Sequence, residues 1–125
     1  MSIKNITTTV LGNKFEMHAL DYLIKHGANL ICKQYKSKYG EIDLIVSIDT
    51  TIIFVEVRAR KSNLYGGALY SITKTKQNKI IQTAEIFIQE YNSLLAQKLA
   101  KFNYRFDVIV FENGRIEWIK NCIES

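Results

Sequence analysis

Two long apolar runs joined by a short polar turn constrain this chain more than any other feature. The runs, 41–48 and 52–59, are rich in Ile, Val and Phe, and Asp49-Thr50 lies at the centre of the polar stretch between them. Runs of β-branched and aromatic residues bounded by turn residues favour strands. The pattern predicts an antiparallel hairpin, and apolar residues at most positions indicate that both faces of its strands are largely buried.

Charged residues interrupt both runs, with Asp43 in the first and Glu56 and Arg58 in the second. Folding about the central turn places Asp43 opposite Glu56, and Glu41 opposite Arg58. Directly opposed residues share one face of a sheet, with side chains about 5 Å apart. Two like charges at that spacing destabilise a plain sheet, so the pair makes sense if Mg²⁺ or Mn²⁺ lies between the carboxylates. A slip of one residue in register would separate them.

Metal-assisted hydrolysis of a phosphodiester needs the kinds of groups that this hairpin would gather. Carboxylates hold an ion that polarises the phosphate and lowers the pKa of a bound water. Arg58 follows Glu56 by two residues, so it shares that face and could neutralise charge in the transition state. The main-chain carbonyl of Val57 is a further oxygen donor between them. The competing interpretation is a solvated sheet face with an ordinary cross-strand Arg–Glu pair, and spacing alone does not separate the two.

Helical periodicity appears in two further stretches of the chain. Apolar residues recur at helical spacing over 11–26, which predicts a first helix. A second, longer helix is expected to begin at Thr73 or Thr75 and to end near residue 101. Asn92-Ser93 is where we expect this helix to break, because both residues favour turns and caps over helix interiors.

The remaining elements complete a mixed α/β pattern. Further strands are expected at 29–36, 104–111 and 115–119. Asn113-Gly114 is a strong hairpin turn signal between the last two strands. Residues 1–9 are expected to be frayed, and 61–72 to form a loop. Helices that separate groups of strands predict a mixed central sheet with helices packed on it.

Length and composition restrict the class of protein. The 125 residues fit one domain, 1–125, which can bury a core without disulfides or structural metal. A formal net charge of +5 favours an anionic partner such as nucleic acid. No apolar run reaches the roughly 18 residues that span a bilayer, and the N-terminus lacks a signal-peptide core, so we expect no membrane partner and a cytoplasmic location. Cys32 and Cys122 lack metal-ligand spacing and are interpreted as reduced structural thiols.

A series of short motifs, in order and at suitable spacing over nearly the whole chain, resembles the YraN-like family of small bacterial proteins. The motifs are Gly12-x-x-x-Glu16-x-x-Ala19-x-x-Tyr22-Leu23, Gly40-Glu-Ile-Asp-Leu-Ile45, Phe54-Val-Glu-Val-Arg-Ala-Arg60, Lys76-Gln-Asn-Lys-Ile80, Arg105-Phe-Asp-Val-Ile109 and Ile116-Glu-Trp-Ile119. That family resembles the restriction-endonuclease-like superfamily, with its D…(D/E)-x-K signature, and is similar to archaeal Holliday-junction resolvases. The resemblance implies a restriction-endonuclease-like core, with a mixed central β-sheet flanked by helices.

Carried over residue by residue, the resemblance implies that Asp43 and Glu56 are the catalytic, metal-binding acids and that Glu16 is an additional acid. Arg58 falls where the signature has Lys. Arg stays charged and cannot act as a base, but it can clamp a phosphate through two hydrogen bonds. The resemblance thus implies a Mg²⁺- or Mn²⁺-dependent endonuclease, with branched or single-stranded DNA as candidate substrates. Arg58 leaves open a catalytically inactive nucleic-acid-binding module with the same fold.

Basic residues flank the acidic pair in sequence and are candidates for contacts with a phosphate backbone. The candidate nucleic-acid-binding set is Lys36, Lys38, Arg60, Lys61, Lys74, Lys76, Gln77 and Lys79. Three of these lysines fall in the first turns of the predicted second helix, where the dipole disfavours cations unless an anion binds. The competing interpretation is a set of ordinary solvated lysines. DNA is expected rather than RNA, while a homodimer, and a protein-interaction domain without a nucleic-acid role, stay open.

Overall fold

The structure, a computed structural model, describes residues 3–60, 72–95 and 102–123, with side chains for 14–59, 72–92 and 102–123. The described chain folds into two helices and five strands. In chain order they are α1 Ile3–Lys25, β1 Asn29–Lys36, β2 Glu41–Ile48, β3 Thr51–Arg60, α2 Lys74–Leu95, β4 Asn103–Glu112 and β5 Arg115–Ile119. Neither described helix combines the length and the apolar character needed to cross a membrane.

The five strands form one mixed sheet in the order β1-β2-β3-β4-β5. Strands β3 and β4 are parallel, because α2 crosses over between them, and the other neighbours are antiparallel. The predicted strands are confirmed, with β3 and β4 each one residue longer at both ends. This arrangement confirms the expected mixed α/β fold and is consistent with a restriction-endonuclease-like core.

Each face of the sheet carries its own apolar core, which explains the long apolar runs. On one face, Ile80 and Phe87 of α2 pack with Ile52 and Phe54 of β3. On the other face, α1 contributes a second cluster. Its buried members are Ala19, Leu23, Ala28, Leu44, Val46, Ile53, Val55 and Ile109. The prediction that both faces of the hairpin are largely buried is therefore confirmed.

A side-chain cap explains where α2 begins, but residue propensities do not explain where it ends. Thr73 caps α2, since its Oγ1 accepts a hydrogen bond from the Lys76 N–H at 3.1 Å. The predicted break at Asn92-Ser93 is wrong, because α2 continues to Leu95. The weak helix propensity of two residues is outweighed by the packing of the helix on the sheet. The predicted end near residue 101 lies outside the described residues.

The first helix begins earlier than predicted. It starts at Ile3 rather than residue 11, so the segment 1–9 is helical from Ile3 onward instead of frayed. At the other end, Gly27 has a φ of 96° and follows the last helical turn. The Ala28 N–H donates to the Leu23 carbonyl at 3.0 Å, a bond that closes helices that end with a left-handed residue.

The two cysteines are free thiols. Both are half-buried, and burial raises the pKa of each thiol. These properties fit the interpretation of Cys32 and Cys122 as reduced structural residues.

Candidate functional site

The register of the β2–β3 hairpin is as predicted over its paired length. The pairs run from Ile48 opposite Thr51 to Leu44 opposite Val55. Asp43 and Glu56 follow directly after the last pair. There the Asp43 Oδ2 accepts a hydrogen bond from the Val57 N–H at 2.8 Å. A side chain of β2 thus caps β3 at the point where the paired region ends, and this contact holds Asp43 beside Glu56.

Strand β1 is irregular next to the point where the pairing of β2 and β3 ends. Gln34 lies between the residues paired with Leu44 and Ile42, opposite Asp43, and it has a φ of 50°. A positive φ is uncommon outside glycine and costs roughly 1–3 kcal/mol. As a result, Cys32 and Tyr35, three residues apart, both pack against the α2-side core. The regular alternation of the sheet is interrupted where the acidic residues gather.

Gln34 connects this irregularity to the first helix. Its Nε2 donates to Glu16 Oε1 at 3.2 Å. The pKa of the Glu16 carboxyl is raised, first by burial and then by the negative charge of Asp43, with a smaller contribution from Glu41. Glu16 therefore lies within electrostatic reach of Asp43, although its hydrogen bond goes to Gln34.

Glu56 is the acid of the site whose ionised form is least favourable. Its side chain is 11% exposed, and its Oε2 is buried without a hydrogen-bond partner. Burial is the main cause that raises its pKa to about 8, and the neighbouring Asp43 carboxylate raises it further by hydrogen bonding and repulsion. The Lys76 ammonium, with Nζ 3.7 Å from this Oε2, opposes the rise.

The two acids lie in a cleft between the sheet and α2. The lining residues are Glu41, Ile42, Asp43, Phe54, Val55, Glu56, Ile80, Asp107 and Ile123. These side chains leave no space of the size of a water molecule. An ion could enter only if a side chain such as that of Glu56 or Lys76 moved.

The donor set fits a hard divalent cation that keeps several waters. Asp43 and Glu56 supply carboxylate oxygens, and the orphaned Oε2 is the atom that a cation would satisfy. Within residues 3–60, 72–95 and 102–123, no three Asp, Glu, His or Cys side chains converge as a metal-binding group. An ion at this pair would complete its shell with water, a main-chain carbonyl or substrate oxygens. Mg²⁺ usually binds proteins in this way, through one or two carboxylates.

Asp107 also reaches the cleft, but its carboxylate is saturated. It is fully buried and accepts hydrogen bonds from Arg105, from Trp118 Nε1 at 2.8 Å and from the Asn121 N–H at 2.8 Å. The Arg105 Nη2 lies 2.8 Å from its Oδ2. This network ties β4 to β5 and the segment after it, which gives Asp107 a structural role beside Arg105.

The predicted basic residues fall into two groups. Lys76 reaches the acidic cleft, whereas four other lysines are exposed. The exposed ones are Lys36, Lys38, Lys74 and Lys79. Gln77 is half-buried and its Nε2 donates to the Ile72 carbonyl at 2.9 Å, which secures the start of α2. Lys61 and the side chain of Arg60 lie outside the described parts of the chain.

Sequence reasoning did not place two residues beside the acidic pair. Glu41 lines the cleft with both acids, although the sequence suggested only a place opposite Arg58. Lys76 was expected on the surface, yet it approaches Glu56. The available signal was helical spacing, because Lys76 precedes the buried Ile80 by four residues and therefore shares its face of α2.

Fold and site together define a small α/β protein in which two carboxylates meet where two strands of a mixed sheet separate. Residues 15–111 match the model of the Uncharacterised protein family UPF0102. The UPF0102 protein YraN of Escherichia coli (strain K12 / DH10B) is 39% identical over 124 residues, which cover 99% of this chain and 92% of that protein. YraN of Escherichia fergusonii is 38% identical with the same coverage. The chain therefore belongs to the UPF0102 family, which confirms the resemblance to the YraN-like family.

Proposed function

We propose that this protein is a divalent-metal-dependent endonuclease that hydrolyses phosphodiester bonds of DNA in the cytoplasm. The observation that carries the proposal is Glu56, whose buried carboxylate oxygen has no hydrogen-bond partner and lies beside a second acid, Asp43. Burial of two such groups is unfavourable unless something neutralises them. Mg²⁺ or Mn²⁺ between the two carboxylates would do so, and when bound would supply Lewis-acid activation of the phosphate and of a water molecule.

Other residues around the acidic pair have supporting roles in the proposed reaction. The Val57 N–H fixes Asp43, so one of the two ligands is held before an ion arrives. Arg58 is half-buried on the same strand as Glu56, and its guanidinium can hold a phosphate through two hydrogen bonds. Glu16 adds negative charge from the α1 side of the sheet, which favours a cation near Asp43. These roles together position a phosphodiester and compensate its charge.

The surface beside the cleft suits a phosphate backbone. A Cβ placed on Gly40 would lie 3.4 Å from the Lys79 Cβ, so the β1–β2 connection contacts the beginning of α2. The exposed lysines of these two segments, Lys36 and Lys38 on one and Lys74 on the other, therefore belong to neighbouring parts of the surface. The first turn of α2 contains no acidic residue, so a bound phosphate would favourably compensate its dipole.

Cleavage assays test the proposal directly. Branched, single-stranded and duplex DNA of matched sequence, and the corresponding RNA, are incubated with Mg²⁺, with Mn²⁺ or with EDTA. We expect cleavage of branched or single-stranded DNA that requires the metal and is lost in Asp43→Asn and Glu56→Gln. The exposed carboxylates Asp21 and Glu85 provide matched controls, and Asp21→Asn and Glu85→Gln should cleave like wild type.

A second candidate function is a nucleic-acid-binding module without turnover. The observations that favour it are Arg58, which stands where the superfamily signature has a potential base, and the closed cleft. Binding that weakens with salt and is indifferent to EDTA, without cleavage of any substrate, would support this candidate and overturn the endonuclease. Absence of binding even at low salt would exclude both.

A further inference from the structure

Lys76 occupies an unusual place for a lysine at the start of a helix. The face of α2 that packs on the sheet carries Ile80, Thr83, Ala84 and Phe87, all buried. Lys76 lies one turn before Ile80 on that face, so its side chain follows the apolar stripe toward the cleft. Its ammonium is 3.7 Å from the orphaned Oε2 of Glu56, and the side chain is 41% exposed. Lys76 thus extends from solvent to the buried carboxylate.

Arg58 is the competing cation, and it interacts less with the acids. Lys76 lowers the pKa of Glu56 more than Arg58 does. Within the described residues, Arg58 forms no hydrogen bond and no ion pair. Lys76 forms an ion pair with Glu56, but the distance exceeds that of a hydrogen bond, so its three donors are not committed to that oxygen.

We propose that Lys76 is a catalytic residue that contacts the scissile phosphate. Arg58 then clamps a flanking phosphate. This inference rests on the proposed endonuclease function and names the residue that compensates the phosphate charge. Before metal binds, the Lys76 ammonium lies 3.7 Å from Glu56 Oε2, beside the acidic pair. With a divalent ion held by Asp43 and Glu56, the Lys76 ammonium would be repelled from the carboxylates and would be free to contact the negative phosphate next to them.

Metal affinity in the absence of DNA provides the first test. Mn²⁺ binding is measured by electron paramagnetic resonance for wild type, Lys76→Met and Lys25→Met, the last an exposed lysine at the far end of α1. Removing a cation from the carboxylates should tighten Mn²⁺ binding by about threefold to tenfold in Lys76→Met, whereas Lys25→Met should match wild type. Unchanged or weaker binding in Lys76→Met would overturn the proposed contact. Circular dichroism and thermal unfolding establish that each variant folds.

Cleavage at saturating Mn²⁺ provides the second test. Lys76→Met should lower kcat by roughly 100-fold or more, while Lys76→Arg, which keeps the charge, should retain much of the activity. Wild-type kcat in a folded Lys76→Met variant would overturn the inference.

The two tests separate failure of this inference from failure of the proposed function. If wild type neither binds Mn²⁺ nor cleaves DNA, the endonuclease proposal fails, and Lys76 has no catalytic role. If wild type does both and Lys76→Met matches it in both, the endonuclease stands and only the role of Lys76 is refuted.

Discussion

The raised pKa of Glu56 makes the stability of this protein depend on pH in a defined direction. The ordinary pKa of a glutamate, 4.5, applies when the chain is unfolded, and burial raises the pKa of Glu56 to about 8 in the folded protein. Between these values the folded protein holds a proton that the unfolded chain has lost. Stability rises with pH only where the unfolded state binds more protons, so here the free energy of unfolding should fall as pH rises from about 4.5 to about 8.

The size of the effect follows from the shift. Each unit corresponds to about 1.36 kcal/mol, so the full loss is of order 3 to 5 kcal/mol, with the lower value allowing for the partly exposed Lys76. Domains of this size are stable by roughly 5–15 kcal/mol in total, so the loss is readily measured. Glu56→Gln keeps the shape of the side chain but cannot ionise. This variant should match wild type near pH 4.5 and exceed it by most of that amount near pH 8.5.

Urea unfolding in EDTA at pH 4.5, 6.5 and 8.5 measures the difference. Wild type and Glu56→Gln are compared at each pH, so that other titrating groups cancel. Glu85→Gln changes an exposed carboxylate of α2 and should follow wild type throughout. Parallel stability curves for wild type and Glu56→Gln would show that Glu56 has an ordinary pKa, and the argument from its burial would be refuted.

Three further predictions use the same structure. Mn²⁺ must displace the proton of Glu56, so calorimetry should show apparent affinity falling about tenfold per pH unit below pH 8, with one proton released. Thr73→Ala should lower the free energy of unfolding in urea by about 1 kcal/mol through loss of the cap of α2, whereas Thr75→Ala, at an exposed helical position, should cost less. Asp107→Asn should cost about 3 kcal/mol by leaving Arg105 without its partner, and an unchanged urea midpoint would contradict this.

Much of the fold follows from short-range rules that the sequence displays. The β-branched runs, the polar turn at Asp49-Thr50 and the Asn113-Gly114 turn fixed five strands and the hairpin register, because turn geometry and burial of both faces leave few alternatives. Both central residues of the second turn have positive φ, as its residue types predict. The cap at Thr73 was likewise one of two candidates.

The parts that escaped prediction depend on long-range packing. The positive φ of Gln34 interrupts a strand whose residue types predict regular pairing. The hydrogen bond from Gln34 to Glu16, formed opposite Asp43, depends on the folded arrangement of α1, β1 and β2. The contact between Lys76 and Glu56 joins α2 to β3. Sequence patterns do not predict how α2 is oriented relative to the sheet. The early start of α1 at Ile3 also could not be read from its Thr-rich beginning.

The energetics of the acidic pair favour an ion-binding role over a passive one. Burial and the neighbouring Asp43 disfavour the ionised form of Glu56, and the variant Glu56→Gln is expected to be more stable than wild type above pH 4.5. A module that used only its exposed lysines would gain nothing from this arrangement. A divalent ion, by contrast, would be held by the two neighbouring carboxylates, and at pH 7 it would displace a proton that weakens its binding only about tenfold. The cost in stability therefore supports the proposed metal site and the proposed role of Lys76 beside it.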